Sequence, residues 1–355
     1  MRDGQDPGTA FGYDYRMTCE ACGDTTVLTA QTYHERQSLD ARIPCSHCPA
    51  SIHFGPAVAA LRDPNDPTLN DQSAADTAWF HTSTAHDWPS DTHTGPSDHA
   101  LHVGTYAAAV ENMLRQMRNQ DQANSQFYLH RVRLALTPGD IEPGYRNENH
   151  DAAARLKLID LEDVGVLAVR YLNTHESMGS LSLAIDPAAI GDVATIALPP
   201  KLAATAPSAE VVEQLAALDA ELAAAAAARP DTTGLDTRSL RFTIPADDDE
   251  LAQRVVQCDH RRRNAWIEIE ALLTQTYLGT AVNPLVHDDF TQAMRGWRPN
   301  DTDPTVTEFH AHFRAHARTL TRPDDVIAQL TDAPLRQGTD IAVVCARRRS
   351  RRIDG

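Results

Sequence analysis

The chain has 355 residues, enough for two or three domains, and carries 49 acidic against 32 basic side chains for a formal net charge of -17. The resulting negative field repels phosphate backbones, which excludes general coating of nucleic acid. The first residues lack the basic-then-apolar order of a secretory signal, and no stretch approaches the apolar length that spans a bilayer. We therefore expect a cytoplasmic protein with no membrane partner.

Two Cys-x2-Cys pairs mark the first segment, residues 1–62, which resembles a small zinc ribbon. A close pair of this kind lets two thiolates reach one tetrahedral ion from a tight turn. The sequence leaves redox-active thiols open, and also a fourth ligand such as His47 or His53. The spacing nevertheless predicts one structural Zn²⁺, with no position left for a catalytic water. Its predicted ligands are Cys19, Cys22, Cys45 and Cys48.

The next two segments are predicted as a linker and a sheet domain. Residues 63–76 are rich in Pro, Asp and Asn and poor in apolar side chains, as a linker would be. Residues 77–200 follow as the central domain, where six strands but only two helices indicate α+β order. The strands are predicted at 78–83, 100–104, 127–136, 164–171, 181–185 and 193–198, and the helices at 105–117 and 151–161.

Helical periodicity dominates the C-terminal part, predicted as a helical region over residues 201–346. An Ala-rich helix begins at about residue 208, and the following helices are predicted at 248–278, 288–296, 304–320 and 323–331. Residues 347–355 are rich in Arg and are predicted as a basic tail.

Familiar nucleotide and hydrolase motifs are missing from the sequence. We find no Walker A loop, Gly-x-Gly-x-x-Gly, His-Glu-x-x-His or Gly-x-Ser-x-Gly. Polar side chains do collect at the predicted strand ends, in residues 80–83, 101–105 and 171–182. Because active sites are usually assembled at such ends, these three stretches are the candidates for chemistry.

The order of these stretches resembles the ADP-ribosyltransferase fold, over residues 78–198. In that family one strand carries His or Arg before Gly, Thr or Ser, a second strand leads into a helix, and a later strand begins near a Glu. His81-Thr82-Ser83, Leu101 to Thr105 and Asn173 to Ser182 match these motifs in turn. His102 stands where many members have Tyr, and Glu176 precedes its strand by several residues. Ser180 or Ser182 is therefore the alternative at the Glu position.

The resemblance implies a mixed sheet and an NAD-dependent ADP-ribosyltransferase or NAD glycohydrolase. NAD would be the substrate, and protein, DNA and RNA all remain open as macromolecular acceptors. Glu176 would stabilise positive charge on the ribose, with His81 as its catalytic partner and Tyr106 or Tyr171 stacking on nicotinamide. The implied NAD-binding residues are His81, Thr82, Ser83, His102, Gly104, Thr105, Tyr106, Tyr171, Asn173, Ser180 and Ser182.

A non-enzymatic function is the alternative interpretation of the same sequence. The zinc ribbon and the helical region would then bind protein or nucleic acid, and the central sheet would be an adaptor scaffold. The two interpretations differ in one structural expectation. Only an enzyme needs Glu176 and His81 to face the same concavity.

Overall fold

The computed structural model describes residues 7–37, 42–53, 59–89, 98–118, 122–203, 206–231 and 250–338. The basic tail predicted for 347–355 lies outside these ranges. The chain divides into two compact units: unit 1 comprises Met1–Leu202, Thr280–Asp301 and Ala315–Gly355, and unit 2 comprises Ala203–Gly279 and Thr302–Arg314. The predicted zinc ribbon and central domain both lie in unit 1. The predicted helical region is shared between the units.

Two short hairpins and a helix form the cysteine-containing part of unit 1, which we call the cysteine module (residues 7–53). Its elements are β1 (Tyr15–Thr18), β2 (Thr25–Leu28), α1 (Ala30–Gln37), β3 (Arg42–Pro44) and β4 (Ser51–His53). β1 pairs with β2 and β3 with β4, both antiparallel. The stretch from Thr25 to Tyr33, which the sequence predicts as β-rich, is a strand only as far as Leu28. A helix begins at Ala30, because Thr29 accepts the Thr32 N–H at 3.1 Å and Asp14 accepts the Ala30 N–H at 3.0 Å.

The segment predicted as a linker is ordered and partly buried. It contains the helix α2 (Asp71–Asp76), whose first turn is capped by the Asn70 side chain. Ala74 is fully buried, and its carbonyl accepts a hydrogen bond of 2.9 Å from the Trp79 indole. Two of the turn-forming residues of 63–76, Asp66 and Asn70, are therefore helix caps. Composition alone could not distinguish caps from a linker.

Two four-stranded sheets form the centre of unit 1, which has a mixed α+β fold. The elements are β5 (Trp79–Ser83), β6 (Leu101–Val103), α3 (Tyr106–Arg118), β7 (Phe127–Leu134), β8 (Arg146–Asn147), α4 (Leu158–Val164), β9 (Ala168–Leu172), β10 (Leu181–Ile185), β11 (Ile190–Leu198) and β12 (Leu335–Gln337). One sheet has the order β6-β10-β9-β8 and the other β12-β11-β7-β5. The ladders are antiparallel except for the parallel pair β8 and β9.

The two sheets meet where β5 passes β6. Phe80 and Gly104 exchange two backbone hydrogen bonds there, of 2.8 and 2.9 Å. Alternating apolar residues bury one shared core, whose members include Trp79, Val132 and Leu183. Helix α3 begins directly after β6 and packs against β5. Polar residues of the three candidate stretches, 80–83, 101–105 and 171–182, come together at this junction.

The remaining helices agree closely with the sequence predictions. They are α5 (Ala209–Ala228), α6 (Glu250–Tyr277), α7 (Pro284–Arg295), α8 (Val306–Thr321) and α9 (Pro323–Asp332). Within unit 2, α5 packs against α6, and Arg261 pairs with Glu221 at 2.8 Å. The predicted helical region is wrong at residues 335–337, where β12 extends a sheet of unit 1. Of the helices in the described ranges, none is long and apolar enough to cross a membrane.

Candidate functional site

The four predicted zinc ligands form one compact cluster. All four sulfur atoms lie within 4.8 Å of one another. The Sγ atoms of Cys19 and Cys48 are 3.7 Å apart, and those of Cys22 and Cys45 are 3.8 Å apart. A tetrahedral ion with Zn–S bonds of about 2.3 Å requires sulfur atoms roughly 3.8 Å apart. The donor set therefore fits zinc, and within the described ranges it is the one metal-compatible cluster found.

The backbone around the cluster directs the thiols inward. The Cys19 N–H donates to the Asp24 carbonyl at 2.9 Å, and the Cys45 N–H donates to the Ala50 carbonyl at 2.9 Å, which closes each turn. An N–H donated by His47 lowers the pKa of the Cys45 thiol to about 6. The ring Nε2 of His47 lies 3.1 Å from the Thr25 carbonyl. Neither His47 nor His53, the alternative fourth ligands, belongs to the cluster.

A pocket opens at the junction of the two sheets and contains about 330 Å³ of empty space, including its open mouth. The enclosed cavity within it is only about 50 Å³, well below the roughly 300 Å³ at which small-molecule sites begin, so most of this space is the open mouth. All three candidate stretches contribute to its wall, together with α3. The lining residues are Phe80, His81, Thr82, His102, Val103, Gly104, Ala108, Ala109, Asn112, Tyr171, Asn173, Glu176 and Ser182.

Four of the predicted NAD-binding residues lie outside this lining and support it instead. Tyr106 is fully buried and donates its hydroxyl to the Thr319 carbonyl at 2.8 Å, so it does not stack in the pocket. Thr105 accepts the Ala108 N–H at the start of α3. The Ser83 hydroxyl donates to the Ala85 carbonyl, and Ser180 accepts from Asn173. The pocket lining thus contains seven of the eleven predicted residues, and Ser83, Thr105, Tyr106 and Ser180 lie outside it.

Glu176 is the buried carboxyl group of the pocket, with 8% of its surface exposed. Burial raises the pKa of Glu176 to about 7, and the guanidinium of Arg115, which forms an ion pair with it, opposes this shift. A second buried carboxylate, Glu148, raises the same pKa. Glu176 therefore changes charge near neutral pH.

The two histidines of the pocket are neutral at pH 7, because burial lowers the pKa of each to about 4. His81 lies 4.2 Å from Trp88 in a stack, and its Nδ1 is 2.8 Å from the His102 carbonyl. Since a carbonyl only accepts, Nδ1 carries the proton and Nε2 is an acceptor. The Nε2 of His102 is buried with no hydrogen-bond partner in the described part of the chain. A buried polar atom of this kind calls for a partner such as a ligand or water.

Residues 173–180, which we call the Glu176 loop, are fixed at both ends. Glu148 accepts the Thr174 N–H at 2.6 Å and its hydroxyl at 2.8 Å. The Asn173 amide donates to the hydroxyls of Ser180 and Ser182, each at 2.8 Å. These bonds place Asn173 and Glu176 in the pocket wall.

Sequence reasoning missed the polar side of α3. Asn112 lines the pocket and Arg115 pairs with Glu176. Ala108, Asn112 and Arg115 are spaced i, i+4 and i+7, which puts them on one helix face. This spacing of polar residues, on a helix that directly follows a strand, was the sequence signal that could have located them.

Replacing Gly179 by alanine is expected to destabilise the chain by about 3 kcal/mol. Gly179 has φ +85°, and a Cβ there would lie 2.8 Å from the Ala60 carbonyl oxygen. Gly165→Ala is the matched control, since Gly165 has φ +73° but open space around it, and should cost only about 1 kcal/mol. Urea unfolding of both variants measures the difference. Equal losses would show that contact with Ala60 does not constrain the loop.

Replacing Glu111 by glutamine is expected to change the pH dependence of stability. Burial raises the pKa of Glu111 from 4.5 to about 7, so the folded chain binds more protons than the unfolded chain between these values. Stabilisation from this group is therefore present below about pH 4.5 and is lost as pH rises through about 7. Relative to the parent, Glu111→Gln should gain on the order of 3 kcal/mol between pH 4.5 and 8. A difference in the free energy of urea unfolding between parent and variant that does not change with pH would contradict this.

Comparison with known proteins identifies no relative. No family model, curated protein or solved structure matches the chain. Function is therefore inferred from the pocket and the cysteine cluster themselves.

Proposed function

We propose that this chain cleaves NAD, as an ADP-ribosyltransferase or an NAD glycohydrolase, with Glu176 as the catalytic carboxylate. One observation carries the proposal: residues 80–83, 101–105 and 171–182, which are distant in the sequence, contribute to one pocket. Glu176 and His81 face the same concavity, as an enzyme of this kind requires. An adaptor scaffold has no need to bring these side chains together.

The chemistry that we propose breaks the bond between the nicotinamide nitrogen and the ribose carbon. The bonding electrons leave with nicotinamide, and the ribose gains positive charge until water or an acceptor attacks it. The Glu176 carboxylate would accept a hydrogen bond from a ribose hydroxyl and so stabilise this charge. Because the carboxylate is mostly buried, the stabilisation is stronger than it would be in water.

Neighbouring residues would bind and orient the substrate. His81 offers Nε2 as an acceptor for a hydroxyl or amide N–H, and Asn112 supplies both a donor and an acceptor. Tyr171 contributes an aromatic wall whose hydroxyl is 3.1 Å from His102 Nδ1. The nicotinamide end of NAD would face the pocket, and the rest of NAD would lie in the open mouth. Orientation of this kind supplies a large part of the rate in such reactions.

The cysteine cluster is proposed to hold one structural Zn²⁺. The cluster supplies four thiolates at tetrahedral spacing, so its coordination is closed and leaves no site for a reacting water. When bound, the ion would stabilise a module whose own apolar core is small. The catalytic pocket and the metal centre would therefore have separate tasks.

The proposed function is tested by incubating the purified full chain with NAD and measuring nicotinamide release. Free ADP-ribose as the accompanying product would indicate hydrolysis. Addition of cell lysate and labelled NAD tests for transfer to protein, DNA or RNA. Background nicotinamide with and without lysate would overturn the enzymatic proposal and favour the adaptor alternative.

Replacing Arg115 by methionine is expected to shift the pH profile of nicotinamide release. The Arg115 guanidinium lowers the pKa of Glu176, so its removal should raise that pKa above about 7. Since the reaction needs the ionised carboxylate, the acidic limb of kcat/KM should move to higher pH. The rate below pH 7 should fall more than the rate at pH 9. An unchanged acidic limb would show that Glu176 does not control it.

A further inference from the structure

Glu111 is a buried carboxyl group that lies on α3 beside the pocket but is not part of its lining. Only 7% of its surface is exposed. Its Oε2 accepts the Ser177 N–H at 2.6 Å, and the Tyr13 hydroxyl donates to its two oxygens at 2.9 and 3.0 Å. Burying a carboxyl group is energetically unfavourable unless hydrogen bonds compensate for the hydration that it loses. The partners here join the Glu176 loop to the cysteine module.

Arg62 makes a second connection between the same two parts. Its guanidinium donates to the Ser177 hydroxyl at 2.6 Å and to the Ser177 carbonyl at 3.1 Å. The same guanidinium lies over the Tyr13 ring, 4.1 Å from the ring centre. The Arg62 backbone N–H also donates to the Gly179 carbonyl at 2.8 Å.

Apolar packing makes a third connection, through Met178. This side chain packs against the core of the cysteine module, which contains Cys19 and Cys45, and also against Leu172 and Leu181 of the adjoining strands. The loop backbone on either side of it is unusual, with φ +45° at Ser177 and +85° at Gly179. Such conformations persist where the surroundings hold them.

We propose that Glu111 is a positioning residue, which ties Ser177 to Tyr13 so that the cysteine module fixes the loop carrying Glu176. Ser177 directly follows Glu176, so a displacement of one moves the other. Metal bound to the module would then set the order of the catalytic loop from outside the pocket. The consequence for catalysis rests on the proposed function, whereas the coupling of loop to module can be tested without NAD.

Amide hydrogen exchange of the full chain tests the coupling directly. In Glu111→Ala, exchange in residues 173–180 should rise by about tenfold, because a buried hydrogen bond to the Ser177 N–H is lost. Exchange in β7 should remain at the parental level. Glu111→Gln should restore parental loop exchange, because its amide oxygen still accepts from Ser177. Tyr13→Phe, which removes one hydroxyl, should give a smaller rise of about threefold.

Removal of metal by a chelator provides the second arm. In the parent chain it should raise exchange of the same loop, and in Glu111→Ala it should add a smaller rise, because Arg62 and Met178 still connect the loop to the module. Unchanged loop exchange in folded Glu111→Ala, or an equal rise across all strands, would overturn the proposal. If Glu111→Ala does not fold, Tyr13→Phe decides, and parental loop exchange in that variant would contradict the coupling.

The kinetics of nicotinamide release distinguish a positioning role of Glu111 from a role in binding NAD. Glu111→Ala should lower kcat by about tenfold or more, leave KM within about twofold, and be largely rescued by Glu111→Gln. A fall in affinity with kcat unchanged would contradict a positioning role. If the parent does not cleave NAD, the proposed function fails, whereas the exchange measurements still decide whether Glu111 couples the loop to the module.

Discussion

Replacing Glu176 by glutamine is expected to lower nicotinamide release from NAD by at least about a thousandfold. Glutamine keeps the size of the side chain and can still accept a hydrogen bond, but it carries no negative charge. The developing ribose cation therefore loses its electrostatic partner in a site where only 8% of the Glu176 surface is exposed. Initial rates over a range of NAD concentrations would place the loss in kcat, with KM changed little.

Glu162→Gln is the matched control for this change, because Glu162 is an exposed glutamate on α4. It should retain the parental rate. Thermal unfolding of both variants would verify that they are folded. A Glu176→Gln chain that releases nicotinamide within about tenfold of the parental rate would remove Glu176 from the catalytic role.

Replacing Cys45 by serine is expected to abolish stoichiometric zinc binding and to destabilise unit 1. Structural zinc contributes on the order of 10 kcal/mol of apparent binding free energy in small modules, so loss of one ligand should lower the Tm by about 10 °C or more. Cys45 is buried, and its sulfur accepts the His47 N–H at 3.3 Å, so the change also disturbs the turn. Metal analysis of the purified chain and thermal unfolding measure the two effects.

Cys258→Ser provides the matched control, because Cys258 is a buried cysteine of α6, outside the cluster. Its zinc content should equal that of the parent, even if some stability is lost. Parental zinc content in Cys45→Ser, or no zinc in the parent after expression with the metal, would contradict a four-thiolate zinc site.

Much of the fold could be predicted because its elements follow local periodicity. β10 was predicted with the bounds that it has, and α6 and α9 within two residues. β12 escaped prediction because three residues become a strand only through pairing with β11, which is distant in the sequence. The helix that begins at Ala30 was not predicted, because its first turn is stabilised by Asp14. That residue lies before both β1 and β2 in the sequence.

The candidate site was predictable where polar residues lie in or directly after strands, as at His81, His102 and Asn173. Its electrostatics were not predictable in this way. The pairing of Arg115 with Glu176 joins α3 to a loop, and the bond from Tyr13 to Glu111 spans 98 positions in the chain. Contacts between residues so far apart in the sequence depend on how whole elements pack, so no local sequence pattern predicts them.

A crystal structure of Glu176→Gln grown with saturating NAD would test most directly whether the pocket at the sheet junction is a dinucleotide-cleaving site. This variant should bind NAD without consuming it. We predict the nicotinamide riboside portion between His81, Asn112 and Tyr171, with a ribose hydroxyl facing residue 176. NAD bound elsewhere on the chain, or a pocket without ligand at saturating NAD, would contradict the account.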